Sequence, residues 1–420
     1  MYIKRHIERT LKNLADTFGA ALVTGARQVG KTTLLTRTFP DVSFTTLDDA
    51  IARESARSDP ELFLSGNRES RMIIDEVQYA PQIFPVIKMR IDGANLESVR
   101  TNSPRVYGRY LLTGSRQFDM MQNVTESLAG RVGIANLAGL SLREINSDPF
   151  DKPFLPTDDY RESRTRLAAP PDAETIWERI ARGDMPELYV NPDIDSGAYY
   201  GAYVGTYIER DVRSLTQVGD ERAFFSFMVA MAARTGQLLN LSDVARDAEI
   251  SVVTAKRWLS VLEASNIVYL LRPWHTNITN RAVKTPKLYF RNTGLAAHIT
   301  GWSAGSVLMR GASSGAFFET FIVGEILKSY LNKGVLNPPL YFYRDKQGSE
   351  IDLLILENGT LHPVEIKKSA SPRIHDVKSF AALDKFSDSG VSRGPGALVC
   401  LYKEPLPLGG ADWIYPVSYI

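Results

Sequence analysis

Apolar residues in the first third of the chain fall into short, uninterrupted runs: Ala20-Ala21-Leu22-Val23, Met72-Ile73-Ile74 and Tyr110-Leu111-Leu112. None of these runs keeps a polar position to turn toward water. Each therefore predicts a strand buried on both faces, the pattern of a parallel sheet covered by helices. Helical periodicity between the runs, as at Thr33-Leu34-Leu35, gives the alternation that such a sheet requires. Residues 93–109 are polar and predict a loop. Residues 147–172 are rich in Pro, Asp and Arg and predict an exposed linker.

The pattern then changes twice. From 173 to about 239 it is helical. Residues 241–248 and 252–264 predict two helices joined by a turn, 267–271 a strand, and the stretch from Arg272 a wing. This is the order of a winged helix, with Lys256 and Arg257 on its second helix. Beyond Lys284 an α/β pattern resumes. A helix opens at Gly315 and runs to about Leu331, followed by strand-like runs at 341–344, 348–355 and 361–367.

Chemistry enters at the end of the first strand. Gly25-Ala26-Arg27-Gln28-Val29-Gly30-Lys31-Thr32, followed by Thr33, is a complete G-x-x-x-x-G-K-[ST] phosphate loop. Its glycines let backbone N–H groups curl toward phosphate oxygens, and the following helix adds its positive end. Lys31 would reach the β and γ phosphates of ATP, and Thr32 would hold Mg²⁺. The second strand ends in Asp75-Glu76. There Asp75 can hold Mg²⁺ through water, and Glu76 can orient or deprotonate the attacking water. Ser115, just past the third strand, is either a sensor beside the γ phosphate or a helix N-cap. Arg131 is either an arginine finger or a surface charge. A finger acting in trans would need a homo-oligomer.

The text Gly-Ala-Arg-Gln-Val-Gly-Lys-Thr-Thr, Ile-Ile-Asp-Glu-Val-Gln, Leu-Leu-Thr-Gly-Ser and Glu-Ser-Leu-Ala-Gly-Arg resembles AAA-type ATPases of bacteria and archaea over residues 18–145. The relatives that this resemblance points to carry a C-terminal domain of unknown function that looks like a restriction endonuclease. The resemblance implies a Mg²⁺-dependent ATPase. It also places Arg210 and Asp211 in a recurrent element, with a helix-packing ion pair as their default role.

Acids recur in the last third. Glu365 and Lys367 are two apart on one strand and share a face, with Asp352 on the strand before and Glu319 on the helix. Together they resemble the PD-(D/E)xK nuclease core. In that core carboxylates such as Asp352 and Glu365 hold Mg²⁺ and the lysine stabilises developing charge. Glu350 is expected to face away from Asp352, as a surface residue. Asn292 stands where relatives commonly show aspartate, which puts a metal role there in doubt.

Composition limits the rest. A chain of 420 residues, 44% hydrophobic and 23% charged, fits two or three globular domains. A single cysteine, Cys400, excludes a disulfide framework and suits a reducing cytoplasm. The N-terminus has no apolar signal-peptide stretch, and the most apolar window, 224–233, is too short to span a membrane. Net charge of +1 leaves DNA binding to a local patch. The candidate patch, within residues 241–291, holds Arg272, Arg281, Lys284, Lys287 and Arg291 with Trp274, Tyr289 and Phe290 between them. It either tracks a phosphate backbone or belongs to a packing module.

The expected architecture is α/β. Residues 1–146 would form a P-loop parallel-sheet ATPase core and 147–230 a linker and helical region. Residues 231–283 would form a winged-helix-like domain and 284–420 a nuclease-like α/β domain. Two functions remain open. One is an ATPase coupled to a nucleic-acid-binding or nuclease-like C-terminal domain. The other is an ATP-controlled switch binding a protein or DNA partner, with that domain catalytically silent.

Overall fold

The computed structural model describes residues 2–65, 71–114, 127–165, 172–207, 221–276 and 284–420. It divides into two compact units. The first comprises Met1–Leu140, Glu144–Asp151 and Tyr330–Leu336. Among the described residues its sheet has five strands, in the order Ser43–Thr46, Met72–Asp75, Tyr110–Gly114, Ala20–Gly25, Val132–Leu137. Every pairing is parallel. The strand Ala20–Gly25, which lies between Tyr110–Gly114 and Val132–Leu137, is buried at all six positions, as its apolar run requires. Parallel register brings the carboxyl ends of the strands to one edge, where α/β sheets place their ligands. Gly25, Thr46, Asp75 and Thr113 all lie there.

The polar stretch 93–109 is not wholly a loop. A helix runs from Ile83 to Thr101 and ends where Asn102 turns left-handed, with φ of 49°. Ile83, Phe84, Ile87 and Ile91 bury one face of it, and the polar residues after them are its solvated last turns. Within that predicted linker, residues 147–165 are likewise more ordered than their composition suggests. Asp158–Thr165 is a helix, and Phe150, Phe154 and Tyr160 are buried. The Phe154 ring meets Tyr160 and Tyr415 edge-on at 5.3 and 5.6 Å. Three aromatic anchors outweigh a polar majority.

The second unit comprises Ser141–Arg143, Lys152–Ser329 and Asn337–Ile420. The helices Leu241–Asp247 and Val252–Ala264 form as expected, capped by Asn240 and Ser251. Trp258 anchors the second helix between Phe224 and Phe227, at 5.1 and 5.5 Å. The strand Val268–Pro273 pairs antiparallel with Lys287–Phe290 and parallel with Leu340–Arg344. Through that second pairing it joins a large mixed sheet that continues through Glu350–Glu357 and Thr360–Lys367. The helix Ser314–Leu331 precedes those strands.

Candidate functional site

The first site lies at the carboxyl edge of the parallel sheet. Gly25 has φ of +151°, and a Cβ there would stand 2.3 Å from the Leu137 carbonyl oxygen. Only glycine fits. Gly30, with φ of 90°, caps the helix Lys31–Thr38, so the amides of its first turn open toward the loop. Lys31 is buried and its ammonium donates to the carbonyls of Ala26 and Gly25, at 2.8 and 3.2 Å. Those acceptors are neutral, and an anionic phosphate forms the stronger hydrogen bond.

Asp75 is the hub of this edge. It is only 6% exposed, and its Oδ1 accepts from the Thr32 hydroxyl at 2.7 Å and the Thr113 hydroxyl at 2.5 Å. Its Oδ2 accepts from Thr46 at 3.2 Å. Three hydroxyl donors keep the carboxylate oriented beside Thr32. The Thr113 hydroxyl also accepts the Glu76 N–H at 3.1 Å. Glu76 takes the left-handed conformation, φ 57°, and its carboxylate accepts from Gln78. Thr113 therefore ties both acids to one strand end. It lay inside the Leu-Leu-Thr-Gly-Ser text, as a polar residue in a buried run, yet sequence reasoning gave it no role of its own. Ser115 lies outside the described residues.

Arg5 is a second residue that the sequence did not single out. Buried at 4% exposure, it donates to Val29 O at 3.0 Å and to the carbonyls of Ala138 and Gly139 at 2.7 and 3.1 Å. It also pairs with Glu144 at 3.1 Å. One guanidinium thus clamps the phosphate loop to the turn after the strand Val132–Leu137. Arg131 points its guanidinium at Asp92, with contacts of 2.8 and 3.1 Å.

The second site lies in the other unit. Asp352 faces the strand that carries Glu365 and Lys367, and its Oδ2 accepts the Ile366 N–H at 2.9 Å. Lys367 pairs with Glu365, and its Nζ is 3.9 Å from Asp352. Glu319 enters from the helix Ser314–Leu331 and accepts from the Tyr289 hydroxyl at 2.6 Å. All four residues expected from the nuclease-like resemblance therefore belong to one cluster.

Three further members were missed. Lys287, 3% exposed, lies 2.7 Å from Glu350, 3.1 Å from Glu319 and 3.6 Å from Asp352. Tyr289 is the second. Glu350 is the third, and it corrects the expectation that it faces away. Residues two apart on a strand share a face, so Glu350 meets the same lysine as Asp352.

Burial, reinforced by Asp352, pushes the Glu319 carboxyl up to about 7 and the Glu365 carboxyl up to about 8. For Lys287 burial opposes the charge, yet Glu319, Asp352 and Glu350 outweigh it and hold its pKa above the ordinary range. Glu365 Oε2 is buried with no hydrogen-bond partner.

Among the described residues the basic stripe is divided between interior and surface. Lys287 turns inward to the acids, Arg291 bonds Asn266, and Trp274, Tyr289 and Phe290 are buried in the sheet region. Arg272 and Lys284 are exposed, whereas Arg281, Arg210 and Asp211 lie outside the described residues. Asn292 caps the helix Thr293–Ile299 by accepting the Leu295 N–H at 2.9 Å. It also donates to Asp184 at 2.5 Å and accepts from Tyr200 at 3.0 Å.

Residues 17–146 match an AAA domain, 173–306 a domain of unknown function (DUF8612), and 314–420 another, DUF4143. The uncharacterized proteins Rv2008c of Mycobacterium tuberculosis and Mb2031c of Mycobacterium bovis are each 30% identical over 386 residues, covering 91% of this chain and 77% of theirs. Among solved structures, the Walker-type ATPase PABY2304 of Pyrococcus abyssi gives a TM-score of 0.43 at 14% identity, covering 71% of this chain and 96% of that one. The ORC2 protein of Aeropyrum pernix gives 0.31 at 13% identity, covering 72% and 92%. Scores that low do not establish a shared fold, so the relationship rests on the sequence relatives and the AAA domain.

Proposed function

The chain belongs to the family of the mycobacterial proteins Rv2008c and Mb2031c, with an AAA-type ATPase domain at residues 17–146, and from that premise we propose that it is a Mg²⁺-dependent ATPase working as a switch on nucleic acid. The observation that carries the ATPase half is the convergence of Thr32, Thr46 and Thr113 on Asp75 beside the phosphate loop. Thr32 and Asp75 offer hydroxyl and carboxylate oxygens, the hard donors that Mg²⁺ takes, and would hold it. Bound there, the ion neutralises charge on the β and γ phosphates.

The chain's own residues do the rest. The amides of residues 25–33 bind the phosphates, and Lys31 exchanges its two carbonyl acceptors for phosphate oxygens. Glu76 orients the attacking water and accepts its proton, held in place through its own N–H on Thr113. Ser115 senses the γ phosphate. Arg131 serves as a finger toward a second copy of the chain only by leaving Asp92.

The nucleic-acid half rests on the helices Leu241–Asp247 and Val252–Ala264, read as a winged-helix pair. Lys256 and Arg257 are exposed on the second helix, and in this reading they would meet DNA phosphates. The DUF4143 region is read as nuclease-like in layout and silent in cleavage, because Lys287 neutralises the acids that would serve it. A second reading, DNA cleavage, draws on the partnerless Glu365 Oε2 beside Lys367. Fluorescence anisotropy with duplex DNA, in ATP and in ADP, tests the switch, and the same mixtures with Mg²⁺ or Mn²⁺ are run on gels. Binding that differs between nucleotides and weakens in Lys256→Ala/Arg257→Ala, with intact DNA, is expected. Cleavage lost in Asp352→Ala would establish the second reading, and nucleotide-independent binding would remove the switch.

A further inference from the structure

Glu319, Glu350 and Asp352 come from a helix and a strand that are separate in sequence, yet their oxygens converge on one nitrogen, Lys287 Nζ, at 3.1, 2.7 and 3.6 Å. We propose that this ammonium is a tethered cation in the place where a divalent metal would sit, so that the native cluster takes no Mg²⁺ or Mn²⁺ and gains a divalent-cation site when the charge at 287 is removed.

Three observations support it. First, the lysine is built in. Its strand, Lys287–Phe290, is paired on both sides, with Leu238 and Leu271 as the partners of residue 287 itself. The side chain cannot leave by a simple loop movement. The Phe342 ring lies 5.7 Å from Nζ and adds a cation–π contact.

Second, the cluster already holds cations of its own. Lys287 and Lys367 face Glu319, Glu350, Asp352 and Glu365. A metal entering this cluster would compete with a buried ammonium for the same carboxylates and leave that charge uncompensated.

Third, the acids are held around a cation. Tyr289 orients Glu319, and the Ile366 N–H orients Asp352. Removing only the charge at 287 leaves carboxylate oxygens of the kind that Mg²⁺ and Mn²⁺ bind, which have to close in from 2.7–3.6 Å to coordinate an ion.

The claim goes beyond the ATPase reading and is tested without nucleotide. Wild type, Asp352→Asn, Lys287→Met, Lys287→Arg, Lys287→Arg/Asp352→Asn and Lys287→Met/Asp352→Asn are melted in EDTA and in Mn²⁺, and bound Mn²⁺ is counted by electron paramagnetic resonance. Wild type and Lys287→Arg should bind no Mn²⁺ that Asp352→Asn removes. Lys287→Met should melt lower in EDTA, recover by about 5 °C in Mn²⁺, and lose that recovery in the double variant. If Lys287→Met does not fold in EDTA, refolding restored by Mn²⁺ supports the proposal. Refolding that stays absent with the metal overturns it. A wild-type Mn²⁺ site lost in Asp352→Asn also overturns it.

Discussion

Replacing Thr113 by valine keeps the shape of a fully buried side chain and removes one oxygen. That oxygen donates to Asp75 at 2.5 Å and accepts the Glu76 N–H at 3.1 Å. A hydrogen bond to a charged acceptor contributes about 1.5–3 kcal/mol, and a buried N–H left without a partner costs about 1–3 kcal/mol. Asp75 retains Thr32 and Thr46, so part of the first loss is recovered. We expect the first unit to lose about 2–4 kcal/mol in urea unfolding. If about half of that is felt in the transition state, where Asp75 and Glu76 must both be in place, kcat for ATP falls roughly fivefold to thirtyfold. KM should change little, because Lys31 and the loop amides are untouched. Thr113→Ser restores the hydroxyl and should restore both quantities. Wild-type kcat and stability in Thr113→Val, or a serine variant as impaired as the valine one, would refute the role given to this residue.

Other consequences follow from the buried charges. Arg5→Met leaves Glu144 buried without its cation and frees the phosphate loop from Ala138 and Gly139. It should lower unfolding stability by about 3–5 kcal/mol in a urea titration and weaken ATP binding by calorimetry. The second unit should lose stability as pH rises from about 4.5 to about 8. Glu319 and Glu365 have folded pKa values raised above the ordinary 4.5, so their contribution is complete below that value and is lost as pH passes 7 and 8. Melting profiles at several pH values should show this decline, and Glu365→Gln should flatten its upper part. Asn292→Asp would set a carboxylate against Asp184 in place of an amide donor. It should destabilise by about 1–3 kcal/mol at pH 7 and by less at low pH, where the new carboxyl can donate again.

The sequence was most legible where local chemistry dictates geometry. The phosphate loop could be read to the residue because Gly25 admits no Cβ and Gly30 must turn left-handed. The strands around it were equally clear, since their apolar runs have only one place to go. What sequence hid was tertiary. Thr113 and Arg5 look unremarkable until the parallel register sets one beside Asp75 and folding sets the other behind Val29. The polar end of the helix Ile83–Thr101 and the aromatic anchors of 147–172 were masked by composition, which averages over faces.

The C-terminal cluster was half legible. Glu365 and Lys367 declare a shared face by spacing alone. Lys287 sits among basic residues that read as a surface stripe, and only its strand pairing turns it inward to acids some 32 to 65 positions away.

The central claim is that the edge formed by the loop, Asp75 and Glu76 hydrolyses ATP. Phosphate release from ATP by the purified chain in Mg²⁺, measured beside Lys31→Ala, tests it most directly. The account predicts turnover by wild type that falls about 10²-fold or more in the variant, as loss of a charge-stabilising group demands. Equal turnover by the two proteins, or a wild type that neither binds nor hydrolyses ATP, would contradict it.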